Sequence, residues 1–210
     1  RGDGLAKLSL DPRHWFKKNE NKASGLVGIS RNEHGLALSY GKLEAGEYSV
    51  KLCEYVSIGS SEQLAYVKGW ITRNKLKNAD CNYVLDESQY EMQLLETPQV
   101  EEGELLEAVR WRLKDLISMP IDDAVIDAFP LPEDAYRGRI KMLYAVAASK
   151  ETIEKTIKFV NQCGLTSSVI DIPELALRNI ALYLPEMDFG TAALLKMKEN
   201  HGDMLMYSHD

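Results

Sequence analysis

The residues able to do covalent or metal chemistry are few and scattered. Cys53, Cys81 and Cys163 are odd in number, far apart and without histidines at ligand spacing, as expected of buried thiols in a reducing compartment. His14, His34, His201 and His209 fall in tails or expected turns, with no partner the sequence identifies. No G-x-S-x-G, P-loop or H-E-x-x-H is present. Asp188-Phe189-Gly190-Thr191 sets an acid two places before a glycine, a spacing that ordinary turns also use for backbone geometry. Side chains suited to binding stand out more. Leu105, Leu106, Val109, Leu113, Leu116 and Ile117 recur at three- and four-residue steps, and Trp111 projects opposite the centre of that stripe. It must pack against a second layer or be offered to a partner. Tyr90 and Met92 open an expected strand. Rigid aromatics and adaptable methionines make good anchors, although sheet packing uses them equally.

The elements that position these residues follow from periodicity. Residues 26–29, 36–40 and 48–55 read as three strands joined by short Gly-containing loops, an antiparallel meander. A helix opened by Ser60 or Ser61 carries Leu64, Val67, Trp70 and Ile71 on one face, and 81–85 reads as a further strand. A strand reached through a crossover helix usually runs parallel to a neighbour in the same sheet.

The second block reads strand 90–95, the Trp111 helix, strand 124–130, strand 140–147, helix 150–162 and strand 165–172. That β-α-β-β-α-β order is what a small split-βαβ sandwich shows. Acids Glu101, Glu102 and Glu104 suit the first turn of the Trp111 helix, and Pro120 is expected to bar its continuation. A helix from Pro173, capped by Asp171 with Glu174 three residues on, is apolar nearly all round and should be deeply buried. A hairpin, 191–198 and 203–208, closes the chain. The last helix and hairpin resemble the first block. The expected organisation is therefore a basic lead-in over 1–23, a discontinuous domain of 24–88 and 172–210, and an inserted module over 89–171.

Composition bounds the function. At 210 residues, 45% apolar and 27% charged, the chain is an ordinary globular protein with a real core. Its net charge of −7 argues against nucleic acid as a partner. The start is the exception, where Arg1, Lys7, Arg13, Lys17, Lys18 and Lys22 outnumber Asp3, Asp11 and Glu20. There His14-Trp15-Phe16-Lys17-Lys18 sets aromatics beside cations, which suits peripheral contact of residues 13–22 with an anionic bilayer. A solvated tail accounts for the same residues. No apolar run reaches the roughly 18 residues of a membrane span, and the start has no signal-peptide core. A cytosolic location is expected.

This order of elements resembles the first lobe of an actin-like ATPase of the ribonuclease H-like class. More specifically, it is similar to the type IV pilus assembly protein PilM and the MSHA pilus biogenesis protein MshI, with the cell-division protein FtsA and the type II secretion protein GspL more distant. The residues carrying the likeness are Arg110-Trp111, Met119-Pro120-Ile121-Asp122-Asp123, the Tyr144-to-Ser149 strand entering Lys150-Glu151-Thr152-Ile153, and Cys163-Gly164-Leu165 through Val169-Ile170-Asp171. It covers residues 25 to 210. It implies an α/β fold in which the discontinuous part is a 1A-type subdomain and the insert a 1C-like one.

Such a fold grips nucleotide phosphates with two Gly-containing loops, each supplying a carboxylate for Mg²⁺. Laid on the first loop pattern, Gly28 and Ile29 match, but Ser30 stands in the place of Asp and Asn32 in the place of Gly. In the second loop Asp188, Gly190 and Thr191 are kept. The resemblance thus implies a vestigial nucleotide site with no metal and no cofactor of this chain's own; ATP and Mg²⁺ would belong only to a longer parent. It further implies a non-catalytic cytoplasmic scaffold at the inner face of the bacterial inner membrane. The partner would be the tail of a PilN-like inner-membrane protein, held between the two subdomains by Trp111, Tyr90 and Met92. An ATP-hydrolysing protein of which this is one lobe, and a GspL-like piece of a type II secretion platform, are the alternatives.

Overall fold

The computed structural model describes residues 25–45, 47–131, 140–181, 183–184, 191–197 and 202–208. The lead-in over 1–23 and the loop residues Asp188 and Gly190 lie outside them. In chain order the strands and helices are β1 (Leu26–Arg31), β2 (Gly35–Glu44), β3 (Glu47–Ser57), α1 (Ser60–Arg73), β4 (Asp80–Val84), β5 (Glu91–Glu96), α2 (Leu105–Leu113), β6 (Ala124–Pro130), β7 (Met142–Ser149), α3 (Lys150–Gln162), β8 (Thr166–Asp171), α4 (Pro173–Ala181), β9 (Thr191–Met197) and β10 (Gly202–Ser208).

The main sheet has the order β3-β2-β1-β4-β8. β1, β2 and β3 form the expected antiparallel meander, and β1 pairs parallel with β4. Alternation sorts its residues by face. Val27, Ile29, Leu36, Leu38, Tyr40, Cys81, Tyr83 and Ile170 are buried in one core with Val67, Trp70 and Ile71 of α1 and Ile153, Phe159 and Val160 of α3. The intervening positions Gly28, Ser30, Ser39 and Asn82 are small or polar. Trp70 Nε1 and the Tyr66 hydroxyl both donate to Glu54, so α1 is tied to β3 at its rim.

The second sheet has the order β5-β7-β6 and comes wholly from the segment between β4 and β8. Its two faces serve different cores. Leu143, Ala145 and Ala147 of β7 meet Val109 and Leu113 of α2, Leu95 and Ala128. Val146 and Ala148 face the other way and join the main core, with Met92, Val125 and Phe129 packed against it.

Three expectations are corrected here. β8 does not complete a four-stranded insert. It pairs parallel with β4, Asp80 opposite Thr166 and Val84 opposite Asp171, so it is the fifth strand of the main sheet. The helix before it, α3, supplies residues to the main core and is the crossover that brings β8 there. Secondly, β9 and β10 pair with each other and not with the main sheet among the described residues. α4 packs against β10. Thirdly, α2 ends at Leu113, well short of Pro120. Leu116 and Ile117 both donate their N–H to the Leu113 carbonyl in a closing turn, and Leu106 is exposed.

Two smaller differences follow the same logic. Ile180 is 54% exposed, so α4 is not buried all round. Asp171 accepts from the Ile172 N–H at 2.8 Å and makes no reciprocal box with Glu174. The box that does form was not anticipated: Asp86 Oδ1 accepts from the Ser88 N–H while Gln89 Oε1 accepts from the Asp86 N–H. Cys53 is exposed, whereas Cys81 and Cys163 are buried as expected.

Burial separates the two faces of α2 energetically. Leu113→Ala, at a fully buried position, is expected to cost about 2–5 kcal/mol in urea unfolding. Trp111→Ala, two residues away but solvent-facing, is expected to stay within about 0.5 kcal/mol of the wild type. Equal losses would mean that Trp111 is packed.

Candidate functional site

Parallel strands β1, β4 and β8 end together, and open α/β sheets bind ligands in the crevice beyond those carboxyl ends. A cleft of about 470 Å³ lies there, lined by Arg31 to His34 of the first hairpin, by Ser60 and by Asp86, Ser88 and Gln89. The hairpin turns at Glu33 and His34, with the Asn32 N–H donating to the Gly35 carbonyl at 3.0 Å.

The geometry of this turn decides what it can hold. Asn32 Oδ1 accepts from the backbone N–H groups of His34 at 2.9 Å and Gly35 at 3.0 Å. A phosphate cradle needs such amides free and converging. From below, Gln63 of α1, fully buried, donates its amide to the carbonyls of Asn32 (2.7 Å), Ile58 (3.1 Å) and Gly35 (3.3 Å). Arg31 donates to Gln63 Oε1 at 3.0 Å and to the Tyr83 hydroxyl at 3.1 Å, with its guanidinium 4.1 Å from the Phe159 ring centroid. The basic residue thus faces into the helices and is used up holding them. Ser30 offers no carboxylate. The first hairpin therefore does not fit a Mg²⁺–phosphate group.

Gly28 has another reason to be glycine: a Cβ there would lie 2.4 Å from Ser39 Oγ on the neighbouring strand. Of the second loop only Thr191 is described, as the first residue of β9. Lys196 of β9 pairs with Glu87 at 2.7 Å, which sets the closing hairpin beside the crevice. Among the described residues no group of three or more His, Cys, Asp or Glu is placed to hold a metal ion. Burial pushes the Cys81 thiol up, and that of Cys163 up to about 11, so neither is a ready nucleophile.

The seam between the two sheets is where Tyr90 and Met92 lie. Tyr90 is buried in it, and its hydroxyl donates to both carboxylate oxygens of Glu174 on α4, at 2.8 and 2.7 Å. Met92, opposite Val146, packs half-buried on the same side. Both serve the seam itself. Trp111 is elsewhere. It stands on the outer side of α2, 67% exposed, across the three-stranded sheet from Tyr90 and Met92, with Lys114 Nζ 5.9 Å from its ring. The structure does not bring these three expected anchors into one site.

What the sequence reading missed is the row beyond Met92. Leu94, Tyr144 and Phe129 stand side by side across β5, β7 and β6. Leu94 is 50% exposed, and the rings of Tyr144 and Phe129 lie 5.6 Å apart. This row lies on the face that meets the main core: Phe129 packs against that core, Tyr144 is half-buried and Leu94 is open beside them, a partly covered apolar shelf. Asp127 lies one row inward, its Oδ1 accepting from the Ala128 N–H at 2.8 Å and its carboxyl pushed up by burial. Period-two alternation through Val125, Asp127 and Phe129 was the signal available in the sequence.

Comparison with solved structures settles the architecture. The PilM–PilN type IV pilus biogenesis complex matches with a TM-score of 0.70 at 17% identity, over 86% of this chain and 57% of that one. The cytoplasmic domain of EpsL, an inner-membrane component of the Vibrio cholerae type II secretion system, matches with 0.57 at 16% identity, over 87% of this chain and 71% of that one. A Bacteroides thetaiotaomicron protein with an actin-like ATPase fold and unknown function matches with 0.50 at 8% identity, over 88% and 66%. The fold is actin-like. This chain spans little more than half the length of the chain it matches in the PilM–PilN complex. No family model and no curated protein sequence matches it. No helix among the described residues is long and apolar enough to cross a membrane.

The actin-like crevice also holds an unusual acid. Asp171, 2% exposed at the end of β8, has Oδ2 without a hydrogen-bond partner, as has the amide of Asn82 on β4. Burial pushes its carboxyl up to about 7, with the Glu174 charge adding to the rise and the Ile172 N–H opposing it. In the unfolded chain the same carboxyl titrates near its ordinary value of about 3.9. The folded state therefore holds this proton more tightly, and stability falls as pH rises from about 4 to 7. Asp171→Asn is expected to be the more stable protein at pH 8, by roughly 1–3 kcal/mol, with the difference shrinking toward pH 4. Urea unfolding at both pH values checks this, and a difference independent of pH would refute it.

Proposed function

We propose that this chain is a non-catalytic, actin-like scaffold of a pilus assembly machine of the type IV or MSHA kind. It works at the inner face of the bacterial inner membrane, where it holds the cytoplasmic tail of a PilN-like membrane protein. The observation that carries this reading is the likeness to the PilM–PilN complex over most of the chain. The first hairpin supports it, since its amides are bonded within the turn and its arginine is committed to Gln63 and Tyr83.

The tail lies along the seam. Its apolar side chains rest on Leu94, Tyr144 and Phe129, and a basic residue meets Asp127. Tyr90 and Met92 act beneath it as the floor, and Trp111 is kept for a different contact on the outer face of α2. The likeness to EpsL favours one second reading, a cytoplasmic piece of a type II secretion platform with the same seam used for another membrane partner.

Anisotropy titration of a labelled N-terminal peptide from a PilN-like protein tests the first reading. Leu94→Glu is expected to weaken binding by about tenfold or more, as loss of a central apolar anchor does, while Trp111→Ala leaves it unchanged. Equal affinity of Leu94→Glu and wild type would remove the shelf from the site. MgATP titrated against the same protein is expected to show no saturable binding up to about 1 mM, a level that corresponds to about −4 kcal/mol. Tight, saturable binding would restore the ATPase alternative.

A further inference from the structure

We propose that the pole of the main sheet where β1, β4 and β8 begin is a docking surface for an anionic lipid bilayer. Residues 68–79 contain Lys68, Arg73, Lys75 and Lys77 and not one acid, in a chain whose net charge is −7. The fold gathers further cations around them. The Asn78 N–H donates to the Gly164 carbonyl at 2.7 Å and the Thr166 N–H to the Ala79 carbonyl at 2.9 Å, so the turns after α1 and α3 lie together. Lys77 Cγ is the nearest heavy atom to the position a Cβ on Gly164 would take, at 3.9 Å. Lys68 acts on the Cys163 thiol from α1. Leu26 pairs with both Asp80 and Gly41, which brings Lys42 to the same end.

Cations at helix C-termini are ordinarily explained by the helix dipole. Arg73 fits that account, and its guanidinium also lies over the Tyr66 ring. Lys75 and Lys77 do not, because they lie beyond the helix cap, are exposed, and have no carboxylate partner among the described residues. Lys75, at φ 57°, and Asn78, at φ 64°, shape a tight turn that presents both lysines outward. The nearby acids are Asp80, half-buried at the start of β4, Glu44, already paired with Lys51, and Glu47, opposite Glu44 in the β2–β3 ladder.

Lipid is favoured over nucleic acid by what adjoins the pole in sequence. The cluster His14-Trp15-Phe16-Lys17-Lys18 precedes β1, and β1 begins at this pole. Aromatics interleaved with lysines suit a headgroup interface, where charge and ring burial add.

Co-sedimentation of the full chain with phosphatidylglycerol-containing vesicles, against pure phosphatidylcholine vesicles, is the test. Binding is expected to the anionic vesicles alone, to be lost at high salt, and to fall at least about tenfold in the Lys75→Glu, Lys77→Glu double variant. Lys68→Glu, on a regular helix, is a second probe if the turn does not tolerate the first pair, and should weaken binding in the same direction. Equal binding to both vesicles, undiminished binding by the charge-reversed variants, or displacement from vesicles by equimolar duplex DNA would each overturn the proposal.

Discussion

The structure depends on one long-range pairing, that of β4 with β8. Everything from Leu85 to Leu165 leaves the sheet and returns, and the ladder from Asp80–Thr166 to Val84–Asp171 closes that excursion. Closing a long loop costs entropy that no local contact repays, although the cost grows only slowly with length. The return is secured by burial. Val169 and Ile170 enter the interior and α3 brings Ile153, Phe159 and Val160 to the main core. This closure fixes the seam, since the three-stranded sheet is thereby held with Val146 and Ala148 against the main core. It also aligns the ends of β1, β4 and β8, which makes the crevice.

The crevice shows how a fold associated with nucleotides can be committed to structure. Arg31, Asn32 and Gln63 join the first hairpin to α1 and β4 through hydrogen bonds that satisfy the turn from within, and Arg31 reaches α3 by stacking its guanidinium over the Phe159 ring. Buried polar groups of this kind are costly when left unpaired, so the network rigidifies the hairpin once all its members are present. A phosphate would have to displace Asn32 to reach the same amides. A rigid crevice and a partly exposed apolar edge are what the proposed scaffold role would draw on.

The two sheets differ in how they treat their outer surfaces. The main sheet buries large side chains on one face and keeps glycine, serine and asparagine on the other, where Asn82 and Asp171 remain incompletely bonded. The smaller sheet is apolar on both faces, because α2 covers one and the main core covers the near half of the other. At the edge of that cover Leu94 stands exposed beside the half-buried Tyr144 and Phe129.

The sequence by itself determined the elements. Alternation placed β1 to β3, the apolar stripe placed α1, and α3 and β6 were read to the residue, because each signal is local and repeats within a few positions. It also showed serine at position 30, where the resemblance would set a carboxylate. Tertiary structure alone decided which sheet each later strand joined. β8 reads as a strand wherever it pairs, and only the open edge of β4 assigns it to the main sheet. Likewise the stripe through Leu105 and Val109 told that Trp111 faced away from its own helix's core, but not whether a second layer met it. That depended on α2 lying on the outer side of its sheet, a matter of packing between residues distant in the chain, which no local period encodes.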